Sequence, residues 1–362
     1  MKNYSLIITF TLAALSVNAQ SDSTFKGFER FFVQPKHYVI AYTSTPPVID
    51  GNIDEKVWEA AVYTEEFRDI EGVLSNRPLP YYKTRAKMLW DNEYLYIAAK
   101  LEDKHVWANL TERDQIVYHD NDFEVFIDPQ NCGHKYFEFE INALNTVFDL
   151  FLETPYRTGH NYQISWDSKG MKHAVKVIGT LNDPSDEDEG WTVELAIPFK
   201  DLLAKPEDTN IWRLGFSRVE WDTEVVNGKY VKKTNGQGKN LPENNWVWSP
   251  QGAIAMHMPE RWAYIQFVKA ETGTKLPEFE LPYSERQRQY LWLVYYKQQE
   301  YRRNNGKFAE SLKDLQINSK IQIDGKTNML KLETASNQFT ATISDSSQSI
   351  IRINNEGLVK VK

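Results

Sequence analysis

Two short stretches, DFEVFIDP (122–129) and KYFEFEIN (135–142), alternate apolar and acidic residues, with a turn through Asn131, Cys132 and Gly133 between them. Period-two alternation predicts two paired strands. Phe123, Val125 and Ile127 then share the core face with Phe137, Phe139 and Ile141. The other face carries Asp122, Glu124 and Phe126 beside Glu138, Glu140 and Asn142. With the turn centred near Cys132, Glu124 lies directly opposite Glu140. Like charges in that position destabilise a hairpin. Something must neutralise them: a cation, an arginine from a neighbouring strand, a shared proton, or a ligand rich in hydroxyl donors.

Three readings of this pair stay open. Arg85, Lys87 or Arg218 on an adjacent strand absorbs the charge. A sugar is held, its hydroxyls bonding to the carboxylates while aromatic rings cover its apolar face. Or Glu124 and Glu140 act as the carboxylate pair of a retaining glycoside hydrolase.

The hairpin is one of several. KTRAKMLW and YLYIAAKLED flank the turn Asp91-Asn92-Glu93, and HAVKVIGTL and GWTVELAIPF flank the acidic run NDPSDEDE. IWRLGFSRVEW and WAYIQF add further strand patterns. Seven or more strands at this spacing predict a mainly β protein, a two-layer antiparallel β-sandwich of immunoglobulin or jelly-roll type over residues 37–270. After a proline-containing linker at 271–283, residues 284–362 read as a small α+β unit. Its long helix opens on a Ser284/Gln287 capping box and stops at Gly306. FAESLKDL reads as a second short helix, and hairpins follow. Residues 1–19 read as a signal peptide cut near Ala19, and 20–36 as an irregular leader. A secreted or periplasmic location follows, with no membrane-spanning segment in the mature chain.

The single Cys132 excludes an internal disulfide. A net charge of −8 with scattered lysines argues against nucleic acid as a partner. None of the 7 histidines stands at zinc-site spacing. Asp183, Asp186 and Asp188 form an oxygen-rich loop and are candidate calcium ligands. Among 11 tryptophans, Trp246 and Trp248 point to one face of an extended chain, as core wall or ligand platform. Trp262 reads as core.

The blocks PPVIDGNIDEKVW, KMLWDNEYLYIAAKLEDK, DNDFEVFIDP, FEINALN and GWTVELAIPF resemble, in order, the family 9 carbohydrate-binding modules. The resemblance covers roughly residues 38–267. It implies a DOMON-related β-sandwich that binds sugar chain ends in a slot between two aromatic rings, with calcium as a structural ion. Carried over, it puts Tyr118 and Trp248 on either side of the slot. Glu124 and Asn245 then bond hydroxyls, while Trp246, Trp221 and Arg218 extend or edge the slot. The family's arginine falls on Glu140, a charge reversal that favours a bound cation or an amino sugar. The implied function is an exported, non-catalytic carbohydrate-binding protein serving polysaccharide degradation or uptake, with xylan among the candidate ligands. The alternatives are the hydrolase and a structural protein-interaction module. The C-terminal unit faintly resembles the globular part of pilin-like proteins and reads as a docking module for a protein partner.

Overall fold

The computed structural model describes residues 23–159, 161–207, 211–347 and 349–361, so the expected signal peptide lies outside the described residues. The sandwich strands are β1 (His37–Tyr42), β2 (Arg68–Asp69), β3 (Thr84–Trp90), β4 (Tyr94–Glu102), β5 (Asp122–Asp128), β6 (Tyr136–Asn142), β7 (Val147–Leu152), β8 (Tyr162–Gln163), β9 (Lys172–Ile178), β10 (Gly190–Pro198), β11 (Ile211–Glu220), β14 (Asn244–Val247) and β15 (Ala263–Glu271). A ribbon of β12 (Thr223–Val226) and β13 (Lys229–Lys232) stands apart from them.

The sandwich strands run β8-β7-β6-β5-β11-β15-β1-β3-β4-β10-β9, with β14 on β11 and β2 on β14. The sheet folds back on itself. Phe123, Val125 and Phe137 from one end share a core with Ile97, Val193 and Leu195 from the other. The three hairpins read from alternation form as β3–β4, β5–β6 and β9–β10. The departure is β1, which runs parallel to both β15 and β3. Parallel partners need a long crossover, so no local signal announces them.

The block PPVIDGNIDEKVW has a structural reason. The Glu194 carboxylate accepts the N–H groups of Asp50 and Gly51, at 3.0 and 2.8 Å, and the Trp58 indole N–H at 2.7 Å. One buried acid thus staples the loop, and the short helix α1 (Lys56–Glu59) that carries Trp58, to β10. Gly51 sits at φ +89° with its α-carbon against β9, where a Cβ would come within 2.9 Å of the Val175 backbone.

In the C-terminal unit, helix α2 (Tyr283–Asn305) packs on a five-stranded antiparallel meander: β16 (Lys320–Ile323), β17 (Lys326–Ala335), β18 (Gln338–Ser344), β19 (Ile350–Asn354) and β20 (Val359–Val361). Gly306 ends the helix in the left-handed conformation, φ 74°, as expected. The capping box does not form. Pro282 precedes the helix, and Gln287 donates instead to Asn328 Oδ1 at 2.7 Å. FAESLKDL is a set of turns, closed by Ser311 and Asp314 bonding each other. The leader is more ordered than expected. Two 3₁₀ turns, Ser23–Phe25 and Glu29–Phe31, help lay Phe25, Phe28 and Phe32 on the core of this unit.

The unit is tied to the turn of the β5–β6 hairpin. Asp128 Oδ2 accepts the N–H groups of Cys132 and Gly133, at 2.9 and 2.7 Å. Asn131 Nδ2 donates to Glu285 Oε1 of α2 at 2.8 Å, and the Val359 N–H of β20 donates to the Cys132 carbonyl at 3.0 Å. Arg213 of β11 donates to Asn131 Oδ1 at 3.0 Å and reaches Glu285 at 3.3 Å, both side chains of that pair being buried.

Candidate functional site

The β5–β6 register places Glu124 opposite Glu140, Phe126 opposite Glu138 and Asp122 opposite Asn142. On the other side of β5, Ser217 of β11 stands opposite Glu124 and Val219 opposite Asp122. These residues share the outer face of the sheet. A cleft of about 330 Å³ opens over them, with Glu124, Glu138 and Glu140 in its floor and Asn245 and Glu243 at one wall. Tyr118, Tyr156 and Tyr162 also line it, each more than a third exposed. Trp262, Phe126, Tyr136 and Leu150 seal the neighbouring part of the same face.

Each rim residue has a reason for its place. Tyr118 rides a 3₁₀ turn, Val117–His119. Its N–H donates to Glu140 Oε2 at 2.9 Å, and its carbonyl accepts the Trp221 indole N–H at 2.8 Å. Tyr156 opens a second turn, Tyr156–Thr158, and its ring meets Tyr162 edge-on at 5.8 Å. His257 lies against Tyr156 at 4.2 Å and has Nδ1 2.8 Å from Tyr136 Oη. Burial, with the Arg157 charge, pushes the His257 imidazole down to about 3.

The electrostatics of the floor are unusual. Burial first, then the Glu124 and Glu140 charges, pushes Asp122 well above the carboxylate range. Burial pushes Glu124 up to about 7 and raises Glu138 and Glu140 strongly, with their acidic neighbours adding to it. No lysine, arginine or histidine among the described residues pairs with any of the four. The readings that gave this role to an arginine or lysine are corrected. Arg218 lies on the inner face, fully buried, bonded to Glu220 at 2.7 Å, to Asp103 at 3.3 Å and to the Glu102 carbonyl. Lys87 donates to the Trp58 carbonyl, and Arg85 lies over the Tyr63 ring at 4.1 Å.

Of the expected ligand residues, Tyr118, Glu124, Glu140 and Asn245 come together at the cleft. Trp246 and Trp248 do not. Both are sealed in the core between the layers. Trp248 packs edge-on to Tyr38 at 6.4 Å and donates its indole N–H to Glu65 at 2.9 Å. Parity is the reason: Asn245 faces the cleft, so Trp246 and Trp248 turn inward. Trp221 is buried beneath the rim, with Lys232 Nζ 3.4 Å above its ring, and positions Tyr118 without lining the cleft. The tryptophan half of the expected slot is therefore overturned, and Tyr156 and Tyr162 are the rings the sequence reading missed. Their signal was two tyrosines in the loop after the strand beside the acidic hairpin.

The loop candidates for calcium are corrected as well. Asp188 accepts the N–H groups of Thr180 and Val106 at 2.6 and 2.9 Å, Asp186 the Thr180 hydroxyl, and Asp183 the Ser185 N–H. These carboxylates shape the turn and do not converge. Two other carboxylate trios among the described residues do converge: Asp114, Asp149 and Asp167, and Asp122, Glu124 and Glu140.

A β-sandwich with an open, aromatic-rimmed cleft and a few convergent polar groups has the build of a ligand-binding module. The family described as "Carbohydrate family 9 binding domain-like" matches residues 49–247, and the chain belongs to that family. Carbohydrate binding is the class of function that goes with it. The chain is 27% identical over 203 residues to "Exoglucanase XynX" of Acetivibrio thermocellus, covering 56% of this chain and 16% of that protein. It is 26% identical over 197 residues to "Endo-1,4-beta-xylanase C" of Paenibacillus barcinonensis, covering 54% and 15%. The chain thus spans about one-sixth of the length of these relatives. Among solved structures it is similar to a family 9 carbohydrate-binding module from Caldicellulosiruptor kristjanssonii in complex with cellotriose. That likeness has 15% identity and a TM-score of 0.44, over 68% of this chain and all of the other.

Proposed function

We propose that this protein is an exported carbohydrate-binding protein that holds the end of a glycan in the cleft between Tyr118 and the Tyr156–Tyr162 pair. The observation that carries the reading is the exposure of three tyrosine rings around buried carboxylates. Rings cover the apolar face of a sugar, and carboxylate oxygens and Asn245 bond its hydroxyls. The cleft is at the small end of ligand pockets, which suits a chain end better than a long stretch. The relatives' names make xylan and glucan fragments the first ligands to test. Export rests on the signal-peptide pattern. No helix among the described residues is long and apolar enough to cross a membrane. The work of the protein is then to retain or deliver polysaccharide for degradation or uptake.

The hydrolase reading has weaker support. Catalytic carboxylate pairs are separated in pKa by their surroundings, one acid and one base. Here burial raises both Glu124 and Glu140, and no cationic side chain among the described residues pairs with either to hold it ionised as nucleophile or base. Titration calorimetry of the full chain with xylo- and cello-oligosaccharides tests the proposal. Binding that weakens in both Tyr118→Ala and Tyr156→Ala supports it. Binding unaffected by either substitution places the ligand elsewhere. Reducing-sugar release that disappears in Glu140→Gln would revive the hydrolase.

A further inference from the structure

We infer that Asp122, Glu124 and Glu140, with the Ser217 hydroxyl, form a binding site for a divalent cation of the calcium class at the floor of the tyrosine cleft. One carboxylate oxygen from each of the three acids lies within 4.8 Å of the others. Asp122 is fully buried, and Glu124 and Glu140 are at most 5% exposed. Burying even one uncompensated charge is strongly unfavourable, and here three converge.

The other carboxylate trio shows how this protein solves the same problem with a side chain. Arg113 reaches Asp149 at 2.6 Å, Asp167 at 3.4 Å and Asp114 at 3.7 Å. Around Asp122, Glu124 and Glu140 no such side chain stands among the described residues. Arg218 of the adjacent strand β11 is on the opposite face of the sheet, opposite Phe123 in the register.

The donors are also held in readiness. The Val219 N–H ties Asp122 Oδ1 at 3.3 Å and leaves Oδ2 without a hydrogen-bond partner. The Tyr118 N–H ties Glu140 Oε2 at 2.9 Å. Glu124 Oε2 has no partner. Ser217 Oγ adds a neutral oxygen aimed at the same spot. It is fully buried opposite Glu124, whose carboxylate is within its reach, yet it makes no hydrogen bond of good geometry there, which buried hydroxyls rarely forgo.

An oxygen-only set selects a hard cation over zinc or copper. Irregular, carboxylate-rich coordination suits calcium, whereas magnesium demands a near-ideal octahedron and keeps its waters. Glu124 and Glu140 also line the cleft, so the open side of the ion faces it. There the hydroxyls of a bound sugar complete the coordination, a second step that rests on the carbohydrate reading.

The test is calorimetric titration of the chelator-treated full chain with calcium chloride, with magnesium chloride in parallel, and thermal melting with and without each ion. One calcium site is expected, with Kd in the range of about 10⁻⁶–10⁻³ M, together with a rise in melting temperature. Glu140→Gln and Asp122→Asn should each weaken it at least about tenfold, and Asp186→Asn in the acidic loop should leave it unchanged. Absence of heat and of a melting shift at millimolar calcium overturns the site and leaves shared protons as the solution. An equal shift in wild type and Glu140→Gln overturns it too, by placing the ion elsewhere, and tighter binding of magnesium overturns the calcium assignment. Calcium uptake without any oligosaccharide binding would sustain the ion site and reject the carbohydrate reading. Oligosaccharide binding indifferent to calcium would reject only the bridging step.

Discussion

Glu124 and Glu140 face each other directly across the β5–β6 ladder, both buried on the outer side of the sheet. In metal-free protein this contact opposes folding. Glu140→Gln keeps an acceptor for the Tyr118 N–H and removes one charge. We expect the metal-free variant to be more stable than wild type by roughly 1–2 kcal/mol, read as the midpoint of urea unfolding in chelator. The gain holds whether the buried acid stays charged or is forced to take up a proton, since both cost stability at neutral pH. A variant less stable than wild type would mean that the Glu140 carboxyl makes favourable contacts that outweigh that cost.

The rim and the core should respond differently to loss of a ring. Tyr118→Ala should weaken oligosaccharide binding about 3- to 10-fold, as expected for losing one ring contact, with the melting temperature nearly unchanged. Trp248→Ala should cost about 3–5 kcal/mol of stability, because the indole fills the core and bonds Glu65. Calorimetry and chemical unfolding of the two variants side by side check both halves.

His257 predicts an acid limb in stability. Packed against Tyr136 and Tyr156 and near Arg157, it is held neutral, with its pKa pushed down from 6.5 to about 3. Between those values the unfolded chain binds a proton that the folded chain refuses. The contribution is therefore complete above pH about 6.5 and is lost as pH falls toward 3. Its ring edge reaches the cleft, so water screens part of the effect, leaving on the order of 1–3 kcal/mol. His257→Gln should flatten the stability profile across that window. An unchanged slope would show that folding leaves the proton affinity of this histidine unaltered.

Glu285 should couple the two units. It is buried and shared by Arg213, Arg288 and Asn131. Glu285→Ala leaves buried cationic groups unpaired, at a cost of about 3–5 kcal/mol. Differential scanning calorimetry should turn one transition into two, the C-terminal unit separating from the sandwich.

The register of the acidic hairpin was legible because period-two alternation and a single turn near Cys132 leave one alignment. Arg218 could also have been placed, since it shares parity with Trp212, Leu214 and Phe216 and must point inward with them. The Asn245 to Trp248 spacing of the resembled family does not transfer to this chain, because three residues along an extended strand reverse the face and turn Trp248 into the core. Tyr156 and Tyr162 lie where the chain leaves periodic structure, so only the fold brings them to the cleft. The parallel pairing of β1 depends on contacts between residues such as His37 and Tyr264, which no local pattern encodes.

The bond from Val359 to the Cys132 carbonyl has a practical consequence. A fragment cut just after β15, keeping every strand of the sandwich, would lose this brace, and with it the clasp that Glu285 makes on Asn131. The loop end of the acidic ladder would then be free to fray or slip, blurring the alignment of its charges. In this protein the small appended unit works as a splint for the sandwich, and dissecting the two would change the very surface one hoped to isolate.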